Sequence, residues 1–190
     1  MTDFFSYLDE SFYFMDDLGQ IILTTPIIQI EGDFQVEMPI KISSNCNTVI
    51  KSNLFKISAD TLYLSSITFE SSLLIKNSNN FSISNCTVKD STSNDGAIVI
   101  IGCENAQIDN ITIKDSQSTG LLISNSIVTI SNLQIYNTNN CLMILQYESY
   151  VTINNSHLHH SEKDGIAIYK QTVAEISNVT YSDIKTNGTY

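Results

Sequence analysis

Apolar and polar positions alternate along this chain in short bursts, and one phrase keeps returning: Ile, one intervening residue, Asn, then apolar, polar, apolar. It reads Ile83-x-Asn85-Cys86-x-Val88, Ile108-x-Asn110-Ile111-x-Ile113, Ile130-x-Asn132-Leu133-x-Ile135, Ile153-x-Asn155-Ser156-x-Leu158 and Ile176-x-Asn178-Val179-x-Tyr181. A degenerate earlier copy is Leu64-x-Ser66-Ile67-x-Phe69, and the five Asn positions are 25, 22, 23 and 23 residues apart. Alternation with period two predicts strands with one face turned inward. A repeat of this length built from strand formers predicts stacked coils in which each layer covers the next.

A second strand is expected in each layer just after a turn residue: Gly96-Ala-Ile-Val-Ile, Gly120-Leu-Leu-Ile, Asn140-Cys-Leu-Met-Ile and Gly165-Ile-Ala-Ile-Tyr. Alternation counted from those turns places Ala97 and Val99, Leu121 and Ile123, Cys141 and Met143, and Ile166 and Ile168 inside. The same count turns Leu74, Ile98, Leu122, Leu142 and Ala167 outward, flanked by Ile100, Ile144 and Tyr169. These residues predict a continuous outward apolar strip, the kind of surface that marks an interaction site.

The regular layers are expected to run about 54–72, 73–96, 97–120, 121–140, 141–165 and 166–190, after an irregular start over 21–53. The fold class is therefore all-β: a right-handed parallel β-helix, a single-stranded solenoid of about 6–7 rungs of 19–25 residues. Residues 1–20 read differently. Phe4, Phe5, Tyr7, Phe12, Tyr13 and Phe14 crowd among Asp3, Asp9, Glu10, Asp16 and Asp17. Phe5, Leu8, Phe12 and Met15 recur at three- and four-residue intervals, which predicts a short amphipathic helix ending near Gly19 as an N-terminal cap, with the β-helix over 21–190.

Asn85, Asn110, Asn132, Asn155 and Asn178 fall where one strand bends into the next. Stacked a rung apart, about 4.8 Å, they form an asparagine ladder, with amides expected to be buried and to serve open backbone carbonyls. On these residues the chain resembles the right-handed parallel β-helix repeats of the pectin-lyase-like superfamily, over about residues 54–190. The resemblance implies a fold. Enzymes of that superfamily carry Arg near the abstracted proton, or Asn-Thr-Asp, Asp-Asp, Gly-His-Gly and Arg-x-Lys blocks. This chain has no Arg, no Gly-His-Gly and no Asn-Thr-Asp, and its Asp16-Asp17 pair lies in the cap. The resemblance therefore points to a non-catalytic member.

Charge narrows the partners. With Lys+Arg 9, Asp+Glu 20 and a net charge of −11, the chain lacks the cations that phosphate contacts require, so nucleic acid is not an expected partner. No apolar run approaches the roughly 18–20 residues of a membrane span. The opening residues carry acid where an export signal carries base, so no signal peptide is visible and the compartment stays open. Cys46, Cys86, Cys103 and Cys141 have neither framework nor zinc spacing and read as small core residues.

The remaining candidates are polar files. Counted from the ladder, Asp90, Asp115, Asn137, His160 and Asp183 share one column at a strand exit. Like charges at Asp90 and Asp115 raise one pKa or draw a cation such as calcium, although Asp and Asn at strand exits are also ordinary turn formers. His157 and His159 stand two apart on an outward face with His160 beside them, without a third strong ligand in the neighbouring columns, so no metal or other cofactor is expected. An outward file of Thr68, Thr87, Thr112 and Thr180 suggests an ice-binding surface but is broken by Gln134 and His157.

The expected function is a non-enzymatic β-helix scaffold or protein-binding module, one that could form part of a larger assembly. It would meet a protein partner or a second copy through the apolar strip or an open C-terminal end. The alternative is a carbohydrate-binding or carbohydrate-cleaving protein, a polysaccharide lyase or glycoside hydrolase, with Asp90, Asp115 and His160 along its groove.

Overall fold

The computed structural model describes residues 13–17, 19–169 and 171–185. Strand β1 (Tyr13–Met15) lies antiparallel on β2 (Ile21–Leu23), and every other pairing in the stack is parallel. The first rung is β2, β3 (Ile27–Gln29) and β4 (Asp33–Val36); the second is β5 (Ile40–Ser44) and a bent β6 (Val49–Ile57). The third is β7 (Thr61–Ser65) and β8 (Thr68–Lys76), and the fourth β9 (Asn80–Ser84), β10 (Thr87–Lys89) and β11 (Ile98–Ile101). Long bent strands then alternate with short ones: β12 (Ala106–Ser116) with β13 (Leu121–Ser124), β14 (Ile127–Thr138) with β15 (Met143–Gln146), and β16 (Tyr150–Ser161) with β17 (Ile166–Ile168). β18 (Val173–Ile184) begins a further turn on β16.

Each rung has three faces because the inward files are unbroken. On the first face Ile42, Leu64, Ile83, Ile108, Ile130 and Ile153 stack in register. Ile50, Phe69, Val88, Ile113, Ile135 and Leu158 do so on the second. On the third, Phe55, Leu73, Ile98, Leu121, Met143 and Ile166 form the file. All of these side chains are buried in one continuous core, each worth about 1.5–3 kcal/mol on removal from water. Near the N-terminal end the core is aromatic, with Phe34 and Phe55 rings 4.7 Å apart and Phe55 and Phe69 5.3 Å apart.

The corners explain the polar files. Asn85, Asn110, Asn132, Asn155 and Asn178 all adopt left-handed backbone, with φ between 51° and 54°. Asn tolerates that region because its short amide bonds locally, whereas most other L residues are strained there. A single such residue turns the chain from the first face to the second. The ladder amides are exposed rather than buried, since the left-handed turn points the side chain out of the corner. They bond to one another along the stack: Asn110 Nδ2 donates to Asn85 Oδ1 at 2.7 Å, and Asn178 Nδ2 to Asn155 Oδ1 at 2.7 Å. Asn132 Nδ2 instead donates to Asp109 Oδ1 at 2.8 Å.

Where a helix was expected to end near Gly19, the described part, Tyr13–Met15, is the antiparallel strand β1. Residues 1–12, the greater part of the anticipated cap, lie outside the described residues, as do residues 186–190 at the anticipated open end. No helix among the described residues is long and apolar enough to cross a membrane.

Candidate functional site

The apolar strip on the third face exists with different members. The backbone aligns Ile98 with Leu73 and Leu121, and Val99 with Leu74 and Leu122. Ile98 and Ile100 therefore point into the core, and with Leu142 they are 0% exposed. The outward file is Leu74, Val99, Leu122, Ile144 and Ala167. The slip has a local cause: Gly96 is not the equivalent of Gly120. The amide of Ala97 donates to Thr119 O, while that of Ile98 donates to Gly120 O and that of Leu121 to Leu142 O. Ala97, Gly120 and Leu142 thus share one buried corner position, one residue off the register that the glycines suggest. Leu74, Leu122 and Ile144 are half-buried, and Val99 and Ala167 are nearly covered.

A more exposed apolar surface lies one corner away. Ile127, Tyr150 and Val173 stand in register at the start of β14, β16 and β18. Tyr147 and Tyr169 lie on the chain leading into that corner, Tyr147 with left-handed backbone at φ 50°. Their exposures are 50% for Ile127, 65% for Tyr147, 57% for Tyr150, 56% for Tyr169 and 50% for Val173, so five large side chains on adjacent rungs meet solvent at one corner. Exposed Glu148 lies between Tyr147 and Tyr150, and exposed Glu175 lies two residues beyond Val173. Of these, only Tyr169 was anticipated. The strand starts were visible in the sequence, but their exposure depends on the corner geometry.

The strand-exit column is brought together as counted. Asp90, Asp115, Asn137, His160 and Asp183 all have φ between 53° and 57°, the second left-handed corner of each rung. Asn137 Nδ2 donates to Asp115 Oδ1 at 2.9 Å. The residue after each of the first four is Ser91, Ser116, Thr138 or Ser161, whose hydroxyl lies inside, and Ile184 follows Asp183. Ser116 Oγ donates to Thr119 O at 3.1 Å, Thr138 Oγ1 to Asn140 O at 2.9 Å and Ser161 Oγ to Asp164 O at 3.2 Å. The column and its hydroxyl partners are thereby the hinge of the turn onto the third face. Beside it, Glu70 lies between Lys51 at 2.6 Å and Lys89 at 2.7 Å, and Lys89 is 3.8 Å from Asp90. Hydrogen bonds from Lys51 and Lys89 hold the Glu70 carboxyl below its ordinary value.

All three histidines of the chain occupy this same surface on β16. His159 stacks on Tyr136 with ring centroids 4.8 Å apart and planes 8° apart, 4.7 Å from the His157 ring and 4.8 Å from the His160 ring. Partial burial, reinforced by His157 and His160, lowers the His159 pKa. A cleft of about 480 Å3 opens next to His160, lined by Asn137, Glu162, Asp183 and Lys185 among others. Among the described residues, no three His, Cys, Asp or Glu side chains converge as a metal cage. The thiols of Cys86, Cys103 and Cys141 are buried and their pKa values raised by that burial, Cys86 to about 11.

Residues 71–190 match the family described as the right-handed beta helix region. The chain belongs to that family. No curated protein and no solved structure matches it.

Proposed function

We propose that this β-helix is a protein-binding module whose contact surface is the aromatic corner of Ile127, Tyr147, Tyr150, Tyr169 and Val173. The observation that carries it is the half or greater exposure of all five side chains on adjacent rungs. Tyrosine supplies large contact area with few torsions to freeze, which is why it is enriched at interfaces. The rungs hold the side chains at fixed spacing, so little ordering is needed on binding. Glu148 and Glu175, on a chain of net charge −11, favour a partner that rims its apolar contact with Lys or Arg.

Photo-cross-linking tests this. A benzophenone side chain in place of Tyr150 or Tyr147 should yield a defined adduct with one protein from the source cells, and the same probe at Thr112 should not. Tyr169→Glu should remove the adduct. Equal labelling from all three positions, or none from any, contradicts the proposal, while an adduct of twice the chain mass identifies the partner as a second copy.

A second reading, carbohydrate binding, draws support from the cleft beside His160, where the carboxylates of Glu162 and Asp183 line an open depression. Retention on immobilised acidic and neutral polysaccharides, lost in Glu162→Gln and Asp183→Asn, supports it. Failure to bind any of them removes it.

A further inference from the structure

The fold does not require histidine at positions 157, 159 or 160. In the same outward columns the neighbouring rungs carry Gln134 and Thr180, Tyr136 and Ser182, and Asn137 and Asp183. His160 has φ 55° at a corner that every other rung from the fourth onward fills with Asp or Asn. A chain with three histidines in 190 residues thus places all of them within four positions, with the His159 ring against both of the others, where packing and turn geometry are satisfied elsewhere by other residues.

The rings also converge. His159 Nδ1 and His160 Nδ1 are 2.6 Å apart and share one hydrogen bond, so a shift of that proton to the far nitrogen of its ring leaves both Nδ1 lone pairs directed into the same space. Metal–imidazole bonds of about 2.0–2.1 Å separate two nitrogens by about 2.9 Å at a right angle and about 3.3 Å at the tetrahedral angle. The pair must open by about 0.3 Å for the first and about 0.7 Å for the second. The narrower bite favours ions that prefer square-planar or tetragonal coordination, which are Cu2+ and Ni2+, with Cu2+ the tighter of the two. On the far side of the His160 ring, Nε2 lies 3.6 Å from Asp183 Oδ2. That separation is longer than a hydrogen bond; closed by about 0.6 Å, the carboxylate would orient an imidazole that binds metal through its other nitrogen. His157 Nδ1 is engaged with Thr180 Oγ1 at 2.6 Å, so it supports the His159 ring without joining the bite.

We propose that His159 and His160 form a bidentate imidazole site for a divalent transition metal of tetragonal preference, Cu2+ above all, with Asp183 orienting His160 and the remaining positions left to water. The site faces solvent beside the cleft, at a different corner from the aromatic surface.

The test is titration of the full chain with Cu2+ alone, read by calorimetry and by electron paramagnetic resonance. One Cu2+ should bind with a tetragonal spectrum carrying nitrogen couplings. His160→Asn, which installs a residue this corner accepts, and His159→Ser, which installs the residue of the next rung, should each abolish those couplings. Asp183→Asn should weaken binding roughly tenfold, and His157→Gln should leave it within about twofold. Zn2+ should bind more weakly than Cu2+. Nitrogen-coupled Cu2+ that survives in both His159→Ser and His160→Asn overturns the proposal, as does the absence of saturable binding by the unaltered chain. Circular dichroism of the variants must remain that of the parent, and the two substitutions already occur in neighbouring rungs, so loss of binding without loss of fold is the expected pattern.

Discussion

Replacing Asn132 separates the two jobs of the ladder. Its backbone sits at φ 54°, and its amide donates to Asp109 at 2.8 Å across to the preceding rung. Alanine at 132 loses both features. A residue without a helpful side chain costs about 1–2 kcal/mol in the left-handed region, and a hydrogen bond contributes about 0.5–1.5 kcal/mol, at the low end here because the pair is exposed. Asn132→Ala should therefore destabilise by about 1.5–3 kcal/mol. Glycine keeps the conformation and loses only the bond, with a further cost of about 0.4–1 kcal/mol from its freer unfolded chain. Asn132→Gly should cost about 1–2 kcal/mol, and Asn132→Asp, which keeps a side chain the corner accepts but sets a second carboxylate against Asp109, should cost about as much near neutral pH. Urea unfolding followed by far-ultraviolet circular dichroism gives the three values. Loss in Asn132→Gly equal to or greater than that in Asn132→Ala refutes the reasoning, because the amide bond rather than the backbone would then carry the position.

Three further outcomes are expected. Gly120→Ala places a Cβ 2.5 Å from Ile135 Cγ2 and 2.7 Å from the Leu142 carbonyl, and overpacking of this kind should lower stability by about 1–3 kcal/mol in the same urea assay. Glu70→Gln should cost at most about 1 kcal/mol near neutral pH because the Lys51 and Lys89 pairs are partly solvated. Since the folded carboxyl titrates below its unfolded value, that contribution is complete above the unfolded pKa and disappears as pH falls through the folded one. Parent and variant should therefore converge in acid-titrated unfolding curves. Leu122→Glu, on the half-buried outward file, should leave the cross-linking yield at Tyr150 unchanged, whereas loss of that yield would shift the contact surface to the third face.

The sequence makes the inward files and the ladder legible because both depend on local rules. Ile at alternate positions can satisfy only one face, and Asn at a fixed interval marks the left-handed bend. The third face was harder because Gly96 and Gly120 look equivalent. They close turns of different length, and the backbone alignment of Ala97 with Gly120 reverses Ile98, Val99 and Ile100. The buried-amide expectation failed for a related reason: a left-handed residue on a convex corner turns its side chain outward. The file of Asp90, Asp115 and His160 was found by counting, while its role as a hinge emerges only with the Ser and Thr hydroxyls that follow it. Convergence of the His159 and His160 nitrogens depends on torsions that spacing does not encode, and the exposure of Tyr147 and Tyr150 depends on a corner that alternation cannot locate.

The account rests on parallel rungs stacked in register, and engineered disulfides test that most directly. Thr129 and Thr152 face outward as register partners on β14 and β16, at a spacing of about 4.8 Å that lies within disulfide reach. With Cys46 replaced by Ser, a Thr129→Cys, Thr152→Cys chain should oxidise quantitatively to one intramolecular cross-link, located by peptide mass. The Thr129→Cys, His157→Cys chain, whose second cysteine lies beyond the Asn155 corner, should remain reduced. Cross-linking of the second pair in preference to the first, or of neither, would contradict the stack.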